Sequence, residues 1–288
     1  MDAGGRRSAF ALVAFVVAGL NLRPGIVAVS PVLEPIRADL ALSYGAVSFL
    51  TVVPTLCFGL FAFAAPTIAR RIGRVRGMVV ALLLVAAANA VRLFGGDPPV
   101  LFATTVLLGV GVAIGQAFLP ALVNQYFPDR AALVTGLYSA SLFAGAVVAA
   151  SGTVPLQEWA GSWKVALAAW ALPVLPAVVV WVALLRSATG DEPAGEPGGI
   201  PWTDRSALLS AAFFVGLVSV FYSIVTWLAP RFVAAGLDAR TAGFLLAVFF
   251  VGMAVGSPII SRLADRTSDR RPWFGVSLAG LLVGLASI

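Results

Sequence analysis

Eight runs of roughly twenty apolar residues punctuate this chain of 288 residues, at positions 9–31, 44–66, 76–95, 99–122, 133–155, 164–185, 206–229 and 241–261. A helix rising 1.5 Å per residue needs about 20 such residues to cross the hydrocarbon core of a bilayer. Lipid offers no partner to a free backbone amide, so only helices and closed barrels span it. The runs predict an all-α polytopic membrane protein. A ninth run starts near Pro272-Trp273 and is still apolar at Ile288, 16 residues after Pro272.

Charge tells the same story. Hydrophobic residues make up 60% of the chain and charged ones 11%, too few to coat a soluble domain of this size. The formal charge of +6 could point to nucleic acid. The arginines, however, sit at the ends of apolar runs instead of forming a patch interleaved with aromatics, so the expected partner is the lipid bilayer and not nucleic acid. One cysteine, Cys57, lies within an apolar run and histidine is absent, which excludes a disulfide framework and a Cys/His metal site. No metal and no cofactor is expected. No P-loop, nucleophile elbow or intramembrane carboxylate offers an enzyme its chemistry, so the chain is expected not to be an enzyme. Arg6-Arg7 ahead of an apolar run has the look of a secretory signal. The run continues into Asn21-Leu22-Arg23-Pro24-Gly25 without a small-x-small cleavage site, which favours a retained first span.

Between the sixth and seventh runs the stretch from Arg186 to Arg205 is polar, acidic and rich in proline and glycine, as a solvated linker would be. The expected organisation is a six-helix bundle over 1–185, a linker over 186–205 and the start of a second bundle over 206–288. Thirteen basic residues fall on the side of the membrane shared by Arg6, the loop after the second run and this linker, and 5 on the other, with Arg23 inside the first run. By the positive-inside rule the N-terminus and the linker are cytoplasmic. A repeat relates the halves. Pro66-Thr67-Ile68-Ala69-Arg70-Arg71-Ile72-Gly73-Arg74 follows the second run as a basic turn, and Ser257 to Arg266 follows the eighth. Gly59 and Gly256 correspond at the same offset, a sign of two related halves.

This arrangement resembles the major facilitator superfamily. Within it, Asn21-Leu22-Arg23-Pro24, the segment Pro31 to Leu40, the segment Pro54 to Ala62, Leu119-Pro120-Ala121-Leu122-Val123, Phe127-Pro128-Asp129-Arg130 and Thr135-Gly136-Leu137-Tyr138 are similar to the cyanate and 2-nitroimidazole transporter family. The resemblance implies the major facilitator superfamily fold, a twelve-helix plan. Eight spans and part of a ninth then describe a truncated form, expected to be a fragment of a twelve-span protein or a gene product cut short. It also implies secondary active or facilitated transport of a small solute by alternating access, in a bacterial inner (plasma) membrane. The solute expected is a small anion such as cyanate or a small polar heterocycle such as a nitroimidazole, with or without a coupling ion. A drug or metabolite exporter of the same superfamily and a non-transporting scaffold stay open.

The candidate substrate-binding residues are Arg23, Asn21, Gln116, Tyr138, Tyr222 and Trp227. An arginine inside a span costs at least about 2.5 kcal/mol unless a cavity or partner receives it. Pro24 removes a backbone donor beside Arg23, and a broken helix at membrane depth belongs where irregular backbone lines a site. Arg23 is therefore expected to attract an anionic or dipolar solute; the competing reading is a snorkelling or structurally paired arginine. Gln116, Pro120 and Asn124 share one helix face. Tyr138, Tyr222 and Trp227 combine aromatic surface with a donor, although Trp227 fits an interfacial belt equally well. The Ser48–Thr51–Thr55 stripe and Ser219, Ser223 and Thr226 are expected to bond their own helices. Gly111 and Gly115 are expected at a close helix contact. Arg92, near the end of the third run, is expected to snorkel outward. All thirteen acidic residues lie outside the middles of the runs, leaving Glu34 and Asp39 as the only candidate carboxylates for ion coupling in this stretch of chain.

Overall fold

In a computed structural model, residues 3–187, 204–265, 275–276 and 279–280 are described, and within them every regular element is helical. The first span is α1 (Ala3–Leu22), a short α2 (Pro24–Val27), a 3-10 turn at Ser30–Val32 and α3 (Leu33–Asp39). There follow α4 (Tyr44–Ile72), α5 (Arg74–Val91), α6 (Pro98–Tyr126), α7 (Ala131–Ala160), a sixth span of α8 (Trp163–Ala168) and α9 (Val174–Ser187), then α10 (Arg205–Ala234) and α11 (Ala239–Asp265). Eight of these segments are long and apolar enough to cross a membrane, one for each apolar run of the sequence. The expected linker lies, apart from its ends, outside the described residues, as does nearly all of the ninth run.

One boundary departs from the sequence reading. Arg70 and Arg71, expected in a turn beyond the second span, form the last turn of α4. Cations there complement the negative end of the helix dipole. Gly73, at φ 83°, stops the helix in a backbone conformation that residues with a Cβ adopt only under strain. The basic residues of the corresponding repeat, Arg266, Arg270 and Arg271, are outside the described residues.

Lipid tails are as apolar as leucine, so helices in a bilayer gain little by hiding leucine and associate through close van der Waals contact between small residues. A Cβ on Gly111 would lie 2.8 Å from the Ala81 carbonyl oxygen, and one on Gly115 3.0 Å from Leu22 Cδ2. These two glycines let α6 press against α5 and α1, as the sequence reading expected. Two buried clusters result. The first gathers Phe15, Met78, Leu82, Phe118 and Trp181, with the Trp181 indole donating to the Ala14 carbonyl at 2.9 Å. The burial of Ala11, Ala14, Phe15 and Ala18 in it makes α1 an integral part of the bundle. The second gathers Val27, Ile36, Leu101 and Trp163 with Val225, Leu246 and Phe250, and is where α10 and α11 dock onto the first six spans.

Candidate solute-binding site

Pro24 shapes the site. Without an amide hydrogen it leaves the Leu20 carbonyl without its i+4 donor, and the helix of the first span breaks at Arg23, with φ −101° and ψ −34°. Neighbouring helices close in on the break. A Cβ at Gly145 of α7 would collide with the Leu20 carbonyl, so only glycine admits this approach. Beyond the break, the Val29 amide bonds back to Ile26 at 3.4 Å. The Gly25 carbonyl instead receives Arg92 Nη1 at 2.7 Å.

Arg23 emerges from that break between α7 and α10. Its guanidinium carbon lies 5.3 Å from the ring centroid of Phe143 in α7 and 5.2 Å from that of Phe221 in α10. A cation over an aromatic face gains about 0.5–2 kcal/mol, more as water is excluded. The Arg23 Nε is buried and has no hydrogen-bond acceptor, and Arg23 forms no ion pair with a carboxylate among the described residues. A charge-bearing fork with a free donor is therefore presented within a shell of aromatic rings. Tyr222, next to Phe221 and 6.0 Å by ring centroid from Phe58 of α4, is within electrostatic reach of the Arg23 guanidinium.

The other candidates distribute unevenly around this point. Asn21 is buried one helical step away; its Nδ2 donates to the Val17 carbonyl at 2.8 Å and its Oδ1 has no partner. Gln116 is half-buried with an unpartnered Nε2, and its neighbour Gly115 packs on Leu22, beside Arg23. Tyr138 is buried in the first cluster, where its carbonyl accepts the Ser141 hydroxyl at 2.6 Å. Trp227 stands apart, in a tilted ring contact with Tyr44 at 6.3 Å, over which Arg37 sits at 4.6 Å. Asn124 is exposed. Phe143 and Phe221, whose rings flank Arg23, carried no mark in the sequence, being two among 19 phenylalanines.

Several expectations about neighbouring residues resolve. Ser48, Thr51, Thr55, Ser219 and Thr226 each donate to a carbonyl of their own helix, the structural role expected of them. Glu34 pairs with Arg37 at 2.9 Å, and Asp39 with Lys164 at 3.4 Å while accepting the Trp163 indole at 3.0 Å. Arg92 corrects the reading made of it. It does not snorkel; it is completely buried, because the break in the first span offers its guanidinium a carbonyl inside the bundle.

Comparison with known proteins agrees with this architecture. The family model described as Major Facilitator Superfamily matches residues 9–288. The chain belongs to the major facilitator superfamily. It is 31% identical over 276 residues to the cyanate transport protein CynX of Escherichia coli (strain K12), covering 95% of this chain and 71% of that protein. It is 30% identical over 273 residues to the 2-nitroimidazole transporter of the same organism, covering 93% of this chain and 68% of that protein. A solved inward-facing, unoccupied bacterial homologue of the human lysosomal transporter Spinster superposes with a TM-score of 0.66 at 17% identity, over 91% of this chain and 63% of the other. That likeness is one of fold. Membership places the chain among membrane transporters rather than enzymes.

Proposed function

We propose that this superfamily member carries a small anion such as cyanate, or a small polar heterocycle such as a nitroimidazole, across a bacterial plasma membrane, and that Arg23 binds it. The observation that carries the reading is the Arg23 guanidinium held between Phe143 and Phe221, with an unpartnered Nε and, among the described residues, no carboxylate to neutralise it. A planar fork recognises a compact anion or a polarised ring edge through paired donors, and the aromatic faces suit a flat solute. Asn21, Gln116 and Tyr222 bring further polar groups to the same region, Tyr138 supports it from α7, and Trp227 stands at its outer approach. The relatives that transport cyanate and 2-nitroimidazole support the same solute classes.

The six-helix bundle over 1–185, the linker over 186–205 and the second bundle from 206 onward are proposed as the two moving bodies and their tether. With the N-terminus and linker on the cytoplasmic side, the contacts joining the halves lie toward the outer face. They include Arg240 with Glu158, Ser30 with Thr226, and Trp227 with Tyr44. Such contacts would close the outer path while Arg23 faces the cytoplasm, one end of an alternating-access cycle.

Uptake of labelled cyanate and 2-nitroimidazole into vesicles holding the full-length protein, with Arg23→Gln beside wild type, tests the reading. Saturable uptake abolished by the substitution, at unchanged membrane insertion, is the expected result. Uptake of either compound that is indifferent to Arg23 overturns the assignment of the site. Uptake of neither, with extrusion of a larger organic solute, favours the exporter.

A further inference from the structure

The two rings that flank Arg23 are anchored to different parts of the chain. Phe143 is tied to the first span. A Cβ at Gly19 would collide with Ser141 of α7, and Gly145 of α7 admits the Leu20 carbonyl. Ser141 and Gly145 stand on either side of Phe143 in sequence, so that ring stays with Arg23 wherever α1 goes. Phe221 belongs elsewhere. Its ring centroid lies 6.1 Å from that of Phe249 and 6.4 Å from that of Phe250, both in α11, which fixes it to the α10–α11 pair. The approach of Arg23 to Phe221, at 5.2 Å, is therefore a contact between the first six spans and that pair.

That contact matters most while the site is empty. Arg23 is half-buried, its Nε has no acceptor, and no carboxylate among the described residues pairs with it. Arginine keeps its proton, and a charge at membrane depth is costly without a partner. Withdrawing α10 from an empty site strips one of two ring faces from an uncompensated guanidinium. A bound solute changes this, because it supplies acceptors and, if anionic, the opposite charge. A neutralised cation has little attraction left for a ring quadrupole, so α10 then leaves at much lower cost. The difference is the attraction of one ring face, about two- to thirtyfold in a rate.

We propose that the Arg23–Phe221 contact is a bolt that holds the empty transporter in its outwardly closed state, that solute releases it, and that the protein is in consequence an exchanger. The inference rests on the solute site and the moving bodies proposed above. The loaded form passes between its two states faster than the empty one. Solute therefore crosses in one direction more readily when solute of the same class waits on the other side to load the return. Phe143 keeps the guanidinium in place in both states and is no part of the bolt.

Ser30, 2% exposed and bonded to the Thr226 carbonyl of α10, reports when α10 withdraws. The full-length protein carrying Ser30→Cys in an otherwise cysteine-free background is labelled with a membrane-impermeant maleimide, in right-side-out vesicles without solute. Phe221→Leu should speed labelling about tenfold, and Phe143→Leu less than about twofold. Equal rates with and without Phe221→Leu, or equal acceleration by Phe143→Leu, overturn the bolt whether or not a carried solute is known. Transport then reads the consequence. For cyanate or 2-nitroimidazole, whichever shows uptake that requires Arg23, preloading wild-type vesicles with the same compound should raise the uptake rate about tenfold, and the gain should vanish in Phe221→Leu. A wild-type rate indifferent to preloading overturns the exchanger and leaves Arg23 as the receptor of the solute. Uptake that ignores Arg23 overturns the solute site instead, and the labelling rates still judge the bolt.

Discussion

The Ser30 hydroxyl, just past the break in the first span, donates to the Thr226 carbonyl of α10 at 2.9 Å. That carbonyl is free because Pro230, four residues on in the same helix, has no amide hydrogen to give it. A proline in α10 thus creates an acceptor that a serine of the first span fills, and the bond ties the two elements together. Removing the hydroxyl leaves a buried carbonyl unsatisfied. Hydrogen bonds between membrane helices average about 0.6 kcal/mol and reach about 1.7, and an orphaned acceptor belongs at the upper end. Ser30→Ala should lower stability by about 1–1.7 kcal/mol in reversible unfolding, and Ser30→Thr, which keeps the hydroxyl, by less. Equal losses for the two would place the cost in side-chain volume rather than in the bond.

The Phe143–Arg23–Phe221 stack makes a prediction that concerns coupling. Each ring contributes about 0.5–2 kcal/mol through its face, in addition to its packing. Phe221→Leu should cost about 1 kcal/mol more in the wild-type background than in Arg23→Met, where no cation is present to lose. A double-mutant cycle on thermal stability reads that difference directly. A coupling energy of zero would mean that the rings pack beside the guanidinium without holding it.

How far this site was legible depended on whether a signal was local. Arg23 and Pro24 announce a broken, charged segment within an apolar run, and the structure breaks the first span there. The eight runs likewise returned as eight membrane-length helical segments, because twenty consecutive apolar residues fix length and environment together. The rings that embrace Arg23 were not legible. Phe143 and Phe221 lie 120 and 198 positions along the chain from it, and nothing in an apolar helix distinguishes one phenylalanine from another. Arg92 was misjudged for a related reason. Its position near the end of a run implied a route to the surface, while the acceptor that holds it inward is a carbonyl 67 positions away, freed by a break in another span.

Glycine positions that look alike in the sequence should behave oppositely. Gly145 and Gly136 both lie within α7. A Cβ at Gly145 would strike the backbone of Leu20, whereas nothing lies within 4 Å of one at Gly136. Gly145→Ala should therefore cost about 1–3 kcal/mol through overpacking against backbone that cannot turn aside. Gly136→Ala should be neutral, or stabilising by up to about 1 kcal/mol through helix propensity. Circular dichroism melts of the two variants side by side would settle the matter. A loss at Gly136 as large as at Gly145 would mean that an unseen surface packs on the start of α7.

Acid should loosen the entry to α11 in a predictable sense. Asp238, outside the membrane-spanning segments, accepts the Thr241 hydroxyl at 2.6 Å and the Thr241 amide at 2.9 Å. These hydrogen bonds, the side-chain one foremost, hold its carboxyl below the ordinary value. The ionised form is the one the folded chain prefers. Its contribution is present in full above the unfolded carboxylate pKa of about 3.9, and fades as pH falls through the lower folded value. Wild type should be more stable than Asp238→Ala at neutral pH, and the gap between their Tm values should narrow as pH falls below about 4. A gap constant from pH 7 to pH 3 would assign the whole effect of Asp238 to something other than its charge.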